Sequence, residues 1–536
     1  MPRPPVPEWF RTAQLYQIYP QSFCDTNHDG IGDLPGVVSK LDYLKGLGVN
    51  AVWLSPCFDS PFGDAGYDVR DFYKIAPRYG TNDDFKRLCA EAHRKGMRVL
   101  LDLVAGHTSV ECAWFQASAK PEKNRHTNWY VWTDNAWTGP ADAVKGYSDR
   151  DGRYVPNFFW FQPALNYGTA KVEAPWQLPQ THPDVKAVRA ELMNIMRFWL
   201  KLGCDGFRVD MASSLVKNDA DKKETIKLWQ GYRAALEKEF PEAVLISEWS
   251  FPKQALAGGF HADFMIHFGT PAYDKLFRDE LERDVFRIAD RKRSATIFDR
   301  KGKGDIREFL DIYLDHYAAT KDKGYISLPS GNHDIGRLAT GRTKDELEVC
   351  YAFLYSMPGL PVLYYGDEIG MRTVPGLASK EGGYGRTGAR TPMHWTRGKN
   401  AGFSNAEPEK LYLPIDPDAH RPTVEDQEKD PASLLHFIRK MAALRRAHKA
   451  LEADGEFTVL YAKKKQFPFA YLRTAGKEKI LVAVNPSPKA TRVKLQGKGF
   501  AHAPHALAAK GATSLKRQGH DLILTMPALS WGFFEV

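Results

Sequence analysis

The sequence lacks most features of membrane-spanning and disulfide-stabilised proteins. It contains no run of 18 apolar residues, which excludes a conventional membrane-spanning helix. The first ten residues, MPRPPVPEWF, have no apolar core, so we expect no signal peptide. Six cysteines occur in 536 residues, and none forms a CxxC pair. These features predict reduced thiols within the core and a cytoplasmic location.

The positive charge of the chain is dispersed. Its 74 Lys and Arg exceed its 65 Asp and Glu by nine, but the basic residues form only short clusters such as Lys463–Lys465. This pattern is typical of a solvated surface, so we expect no nucleic-acid partner and no membrane partner. Hydrophobic residues make up 43% of the chain and aromatic residues 12%, which predicts a globular protein with a large core. The oligomeric state stays open.

Short apolar strands alternate with amphipathic helices over most of the chain. Eight segments read as strands: LYQIYP, AVWLSP, RVLLDLV, CDGFRVD, AVLISEW, FMIHF, YISLPS and LPVLYYG. Such alternation predicts parallel βαβ units, and eight of them predict an α/β fold of the (β/α)8 TIM-barrel type. A doubly wound open sheet is the alternative, but no Gly-rich phosphate loop follows the first strand.

Two regions depart from this alternation. Residues 108–180 are rich in Trp, Asn and Gly, and we interpret them as a subdomain inserted after the third strand. The barrel is therefore predicted to comprise residues 1–107 and 181–452. Short strands joined by turns predict an all-β carboxyl-terminal domain, a β-sandwich, over residues 453–536.

The segment DTNHDGIGD, residues 25–33, carries oxygen-bearing side chains at alternating positions. Its first half resembles an EF-hand loop, but position 12 would be Gly36, and a strand-like segment precedes the loop. We therefore predict a structural Ca²⁺ site, with Mg²⁺ as the other possible ion, rather than a calcium sensor. A polar turn without metal is the alternative. The predicted ligands are the side chains of Asp25, Asn27, Asp29 and Asp33 and the carbonyl of Ile31.

Charged residues recur where the predicted barrel strands end. They are Asp102 and His107 after the third strand, Arg208 and Asp210 on the fourth, Glu248 after the fifth, and His333 and Asp334 after the seventh. Any one of them could be a turn or helix-capping residue. Carboxylates gathered in one cleft instead indicate catalysis or metal binding, because like charges repel. A zinc site with two His ligands is the alternative, but several carboxylates with an Arg suit an oxocarbenium-like transition state better.

These segments resemble motifs of the α-amylase family of glycoside hydrolases (family 13), and the resemblance covers nearly the whole chain. DLVAGH, GFRVD and NHD resemble three family motifs, while FQPALN, GYD and ARTPMHW resemble the oligo-1,6-glucosidase branch. That branch also carries a cation loop after its first strand. Gly106, Ala164 and His394 depart from the usual Asn, Asp and Gln of these motifs.

The resemblance implies a retaining, double-displacement mechanism. Asp210 would be the nucleophile, Glu248 the general acid/base and Asp334 the transition-state stabiliser. The substrate contacts that it implies are Tyr67, Asp68, His107, Arg208, His333 and Arg390. We expect Arg208 to keep Asp210 ionised, and Asp68 to pair with Arg390 at the closed end of the cleft.

The activity expected from this resemblance is that of an exo-acting α-glucosidase on short α-glucosides, with a small sugar as substrate. The alternative is a transglucosylase or disaccharide isomerase of the trehalose synthase or sucrose isomerase type. A non-catalytic sugar-binding protein is disfavoured, because the carboxylates are intact. Met211 follows the nucleophile where 1,6-acting members tend to have Val and 1,4-acting members Thr, so the linkage preference stays open.

Overall fold

Eight parallel strands close into a barrel, which confirms the predicted fold. The computed structural model describes residues 6–146, 148–266, 269, 272–278, 296–496, 500 and 503–536, apart from the side chain of Tyr384. The barrel strands are β1 Leu15–Ile18, β2 Ala51–Leu54, β3 Arg98–Val104, β4 Gly206–Asp210, β5 Val244–Ser247, β6 Ala262–Phe264, β7 Tyr325–Pro329 and β8 Pro361–Tyr364. Each strand pairs with its sequence neighbours, and β8 closes the barrel on β1. The carboxyl ends of all eight strands therefore meet at one mouth.

Helices follow the strands and cover the barrel. Two of them begin at capping boxes: Thr81 and Thr343 each bond reciprocally with the acidic residue three positions on. The α-helices of eight or more residues are Asn82–Arg94, Pro183–Leu202, Lys223–Glu239, Ile306–Thr320, Lys344–Ser356 and Leu434–Ala447. The shorter α-helices are Glu8–Arg11, Leu34–Ser39, Leu41–Leu47, Ala113–Ser118, Pro252–Ala257, Ala272–Phe277 and Val424–Lys429. Their buried faces form one continuous apolar core with the outer faces of the strands.

Strand β6 differs from its predicted position. The sequence favoured FMIHF, but the strand covers Ala262–Phe264, and residues 267–268 lie outside the described residues. The polar Asp263 hides this strand from a search for apolar runs. Its buried carboxylate accepts hydrogen bonds from the hydroxyl of Ser247 and the backbone N–H of Trp249, which join β6 to β5. These donors satisfy Oδ1 and lower the cost of burying an Asp in a barrel strand, while burial raises the pKa of Asp263 to about 7.

The insertion and the carboxyl-terminal region have little helix. Between β3 and the helix that begins at Pro183 lie one short helix and the hairpin of Val144–Lys145 with Arg153–Tyr154. After residue 455, the strands form a five-stranded and a three-stranded antiparallel sheet. The eight strands are β9 Glu456–Tyr461, β10 Phe469–Ala475, β11 Glu478–Asn485, β12 Thr491–Gln496, β13 His505–Ala509, β14 Ser514–Gln518, β15 Asp521–Met526 and β16 Ser530–Glu535. One apolar cluster joins the two sheets, which confirms the all-β character of this region. The exact domain boundaries stay predictions.

All six cysteines lie in the described part of the chain, and all are buried and free of disulfides. Burial raises the pKa of Cys57 and of Cys89, so these thiols stay protonated. Among the described residues, no helix has both the length and the apolar composition needed to cross a membrane. The cytoplasmic location stays a prediction.

Candidate active site

Arg208 occupies the centre of the barrel mouth and contacts three carboxyl groups. It lies in the middle of β4, opposite Asp102 of β3 in the parallel register. Its Nη1 is 2.8 Å from Asp102 Oδ1 and 3.2 Å from Asp210 Oδ1, and its Nη2 is 2.5 Å from Glu248 Oε1. Each of these four side chains is less than 10% exposed. The predicted convergence of Asp102, Arg208, Asp210 and Glu248 is therefore observed.

Asp210 and Glu248 lie beside one another, because both contact the guanidinium group of Arg208. Burial raises the pKa of Asp210 well above its ordinary value, the charge of Glu248 raises it further, and Arg208 only partly opposes this rise. The expectation that Arg208 keeps Asp210 ionised is therefore not met in the free protein, where the pKa of Asp210 is raised despite the adjacent guanidinium group. The backbone N–H of Met211 donates to Glu248 Oε2 at 3.0 Å and fixes its orientation.

Asp334 is held by two arginines. Arg386 Nη1 lies 2.5 Å and Arg390 Nη2 3.3 Å from Asp334 Oδ1. Arg390 also donates from Nε to the backbone carbonyl of His333 at 2.8 Å. The residue predicted to stabilise the transition state is thus anchored to the loop that carries the ARTPMHW motif.

The predicted pair of Asp68 with Arg390 is not formed, and this expectation is corrected. Asp68 accepts hydrogen bonds from the Ser60 hydroxyl at 3.1 Å and from the backbone N–H groups of Gly63 at 2.7 Å and Asp64 at 2.9 Å. The loop after β2 folds around this carboxylate, which therefore has no oxygen directed at Arg390. Burial raises the pKa of Asp68 to about 6.

Asp64 and Arg386 are site residues that the sequence interpretation missed. Asp64 accepts a hydrogen bond from Gln162 of the insertion at 2.9 Å and lies 4.0 Å from Arg386 Nη2. Burial raises the pKa of Asp64 to about 7 against the opposing charge of Arg386. Only their nearness to motif residues points to them in the sequence: Asp64 precedes the GYD motif by two positions, and Arg386 precedes Arg390 by four. Arg386 bridges Asp64 and Asp334 and so joins two loops across the mouth.

Tyr67 and His333 form part of a buried hydrogen-bond chain. Their rings stack with centroids 5.3 Å apart, and the Tyr67 hydroxyl is 2.8 Å from His333 Nε2 and 3.2 Å from Asp102 Oδ2. His333 Nδ1 accepts from the Gln17 amide at 3.0 Å, so the proton of the neutral ring is on Nε2. Burial lowers the pKa of His333 to about 3, which keeps the ring neutral.

His107 lies at the predicted place, but both its ring nitrogens have protein partners. Nε2 is 3.1 Å from the carbonyl of Tyr67, and Nδ1 is 3.1 Å from the amide nitrogen of Asn157. Burial lowers the pKa of His107 to about 3, so this ring is also neutral. A sugar contact at His107 would have to replace one of these two bonds. The sugar contacts of Tyr67, Asp68, His107, Arg208, His333 and Arg390 stay predictions.

The loop predicted to bind a cation is closed by its own hydrogen bonds. Asp25 accepts from the backbone N–H groups of His28 at 2.7 Å and Gly30 at 2.9 Å, and Asp33 accepts from the backbone and hydroxyl of Thr26, each at 2.8 Å. Asp29 Oδ1 accepts from the backbone N–H of Ile31 at 2.8 Å, and Asn27 Oδ1 accepts from that of Asp29 at 3.0 Å.

The described residues include no group of three or more His, Cys, Asp or Glu placed to hold a metal ion. No three carboxylates of the loop therefore meet at one point in the structure. Oxygen ligands still suit a hard ion, so the Ca²⁺ site stays a prediction.

The fold and the site define a class of protein: a (β/α)8 barrel enzyme whose mouth holds a carboxyl pair suited to glycosyl transfer. The family profile described as "Alpha amylase, catalytic domain" matches residues 17–454. The chain therefore belongs to the α-amylase family of glycoside hydrolases.

Proteins named for different activities are similar to this chain. "Trehalose synthase/amylase TreS" of Mycolicibacterium smegmatis is 35% identical over 84% of this chain and 78% of its own length. "Oligo-1,6-glucosidase" of Parageobacillus thermoglucosidasius is 31% identical over 90% of this chain and 91% of its own. The crystal structure of isomaltulose synthase from Erwinia rhapontici NX5 superposes with a TM-score of 0.81 at 25% identity, and the match covers 99% of this chain and all of the other. Proteins named glucosidase, amylase and synthase are all similar to this chain, so family membership does not decide its activity.

Proposed function

We propose that this protein is a retaining exo-acting α-glucosidase that removes one glucosyl unit at a time from the non-reducing end of short α-glucosides. The observation that supports it is the placement of Asp210 and Glu248 on one guanidinium group, that of Arg208, at the barrel mouth. Carboxyl groups of retaining enzymes lie about 5 Å apart, whereas inverting enzymes leave room between them for a water molecule. Two carboxyls that contact the same guanidinium group fit the shorter separation.

In the proposed reaction, Asp210 attacks the anomeric carbon while Glu248 donates its proton to the leaving oxygen. Glu248, now ionised, then takes a proton from water as that water opens the glucosyl-enzyme. The reaction therefore requires the proton on Glu248 and an ionised Asp210 when substrate is bound. Arg208 contacts both carboxyls, and its charge stabilises Asp210 once that group is ionised as the nucleophile.

The preference for short substrates is supported by the loop bridge over the site. Arg386 connects Asp64 and Asp334, and Gln162 of the insertion contacts Asp64. A polymer lying across the barrel mouth would have to break this bridge. A short α-glucoside could instead place its terminal glucose against it.

A second candidate is isomerisation of a disaccharide, in which the departing sugar returns to open the glucosyl-enzyme. Burial of the nucleophile favours it, because the Asp210 side chain is only 9% exposed and an enclosed site limits access of water. The similarity to proteins named trehalose synthase supports the same candidate.

Product analysis separates the two candidates. The purified protein is incubated separately with maltose, isomaltose, sucrose and trehalose, and the sugars are separated by chromatography. Free monosaccharide without a new disaccharide supports the glucosidase, and a new disaccharide as the main product supports the isomerase. The Asp210→Asn variant serves as the control for contaminating activity. Conversion of none of the four sugars by the wild-type protein would refute both candidates.

A further inference from the structure

The side chain of Asn157 reaches the barrel mouth from the insertion and fills the space beside Gly106. A Cβ atom added to Gly106 would lie 2.5 Å from Asn157 Nδ2 and 3.3 Å from Asn157 Cγ. The first distance is well inside van der Waals contact, so any other residue at position 106 would displace the amide. Gly106 does not have a positive φ, and the backbone alone therefore does not require glycine there.

The amide of Asn157 lies in a defined orientation. Its Oδ1 accepts from Lys217 Nζ at 3.0 Å, and an ammonium group can only donate. Nδ2 must therefore face the other way, where it lies 3.1 Å from His107 Nδ1 and 3.2 Å from Ser214 Oγ. The sulfur of Met211, the residue after the nucleophile, is 3.8 Å from the same nitrogen. Lys217 also donates to the carbonyl of Ser214 at 2.8 Å, which fixes the ammonium group.

These contacts determine the tautomer of His107. Because Asn157 Nδ2 donates, His107 Nδ1 must accept, and the ring proton is on Nε2. Nε2 then donates to the Tyr67 carbonyl, which can only accept. The chain of donors thus runs from Lys217 through Asn157 and His107 to the backbone of Tyr67. The hydroxyl of Tyr67 in turn contacts His333 and Asp102 in the active site.

We propose that Asn157 is a positioning residue that fixes His107 as the Nε2-protonated tautomer and so holds Tyr67 in place, and that Gly106 provides the space for it. Burial keeps His107 neutral, which this arrangement requires, because a doubly protonated ring could not accept from Asn157. The insertion thereby contacts the barrel mouth through the side-chain amide of Asn157.

A double-mutant cycle tests the proposal through kinetics. The variants are Asn157→Ala, Gly106→Ala and their combination, and release of nitrophenol from 4-nitrophenyl α-D-glucoside reports formation of the glucosyl-enzyme. Each single variant should lower kcat/KM by up to about 10-fold, the upper end of the loss expected for one hydrogen bond. The combined variant should lose no more than the larger single loss, because both changes remove the same contact. Gly231→Ala is the control, since a Cβ there meets nothing within 4 Å.

A spectroscopic measurement tests the tautomer without activity. The side-chain ¹⁵N resonances of the histidine-labelled protein are recorded, and those of His107 are identified by their loss in His107→Gln. The Nδ1 resonance of His107 should move in Asn157→Ala and stay unchanged in Gly231→Ala. The proposal is wrong if the His107 Nδ1 resonance does not move in Asn157→Ala or if that variant keeps the wild-type kcat/KM. It is also wrong if the fold-loss in kcat/KM of the combined variant equals the product of the two single fold-losses.

The kinetic measurement rests on the proposed function, whereas the spectrum does not. Absence of nitrophenol release by the wild type would count against the function and leave the spectrum to decide the role of Asn157. If Gly106→Ala fails to fold, Asn157→Ala alone gives both readouts. Melting temperatures of all variants separate lost positioning from lost folding.

Discussion

Asp102 and Arg208 form a buried ion pair between neighbouring barrel strands. Their closest atoms are 2.8 Å apart, and the two side chains are 0% and 3% exposed. Asp102 Oδ2 also accepts from the indole of Trp53 at 3.1 Å, so both oxygens of the carboxylate have donors. Asp102 of β3 therefore fixes the arginine of β4 that contacts Asp210 and Glu248.

Replacing Asp102 by Asn should impair both stability and catalysis. Removing one partner of a buried pair leaves the other charge poorly compensated, at a cost of about 3–5 kcal/mol. Thermal melting should show a lower Tm, and kcat/KM should fall at least about 10-fold as Arg208 loses its orientation. Asp42→Asn is the matched control, because Asp42 pairs with Lys95 on the surface and its side chain is 82% exposed. Wild-type stability in Asp102→Asn would mean that Arg208 is held by other groups.

Replacing Asp210 by Asn should abolish turnover, because the amide is a poor nucleophile in the proposed double displacement. The wild type should release its first product as the α-anomer, which NMR detects before mutarotation. A first-formed β-anomer would exclude retention, and ordinary turnover by the variant would exclude Asp210 as the nucleophile.

Much of this architecture could be predicted because it follows from periodic patterns. Apolar strands alternating with helices specify the barrel, and the parallel register then brings Asp102, Arg208, Asp210 and Glu248 to one mouth. Strand β6 was misplaced because Asp263 interrupts its apolar pattern. The pattern that predicts the barrel is local and repeats along the chain, and the prediction fails where a polar residue interrupts that pattern.

The contacts between loops could not be predicted, because they depend on the path of each loop. Nothing in the spacing shows that Asp68 caps its own loop or that Arg386 reaches both Asp64 and Asp334. The place of Asn157 beside Gly106 likewise depends on how the insertion folds, 51 residues further along the chain. Such contacts are found only in the folded structure, because the separation of two residues along the chain does not show whether their loops meet.

Calcium should stabilise the protein if residues 25–33 bind it. The ordered oxygens of this loop suit a hard cation, and an ion that binds the folded state raises the melting temperature by mass action. The measurement is Tm in excess Ca²⁺ and in excess chelator. Asp29→Asn should reduce the difference, and Asp221→Asn, an exposed acidic residue outside the loop, is the control. Equal melting temperatures with and without Ca²⁺ would show that the loop is a polar turn.

Asp64 should make the stability of the protein depend on pH. Its folded-state pKa of about 7 lies above the ordinary value, so the folded state holds the proton more tightly than the unfolded chain. The free energy of unfolding should therefore fall as pH rises from about 4 to about 7 and level off above that. Asp64→Asn cannot titrate, and its stability relative to the wild type should be greater at pH 8 than at pH 5, by about 2–3 kcal/mol. Denaturant unfolding at both pH values measures the difference, and a pH-independent difference would contradict the raised pKa.

Replacing Arg386 by Gln should impair activity on short substrates more than on long ones. The change removes a charged hydrogen bond to Asp334 and the bridge to Asp64, while Arg390 keeps its own contacts with Asp334 and His333. Loss of a charged hydrogen bond costs about 1.5–3 kcal/mol, so kcat/KM for maltose should fall roughly 10- to 150-fold. Opening the bridge should also raise the activity on maltoheptaose relative to that on maltose. Arg397→Gln is the matched control, because Arg397 pairs with Asp426 at the surface. If the ratio of the two activities is the same in Arg386→Gln and in the wild type, Arg386 does not close the cleft, and the preference for short substrates must arise elsewhere.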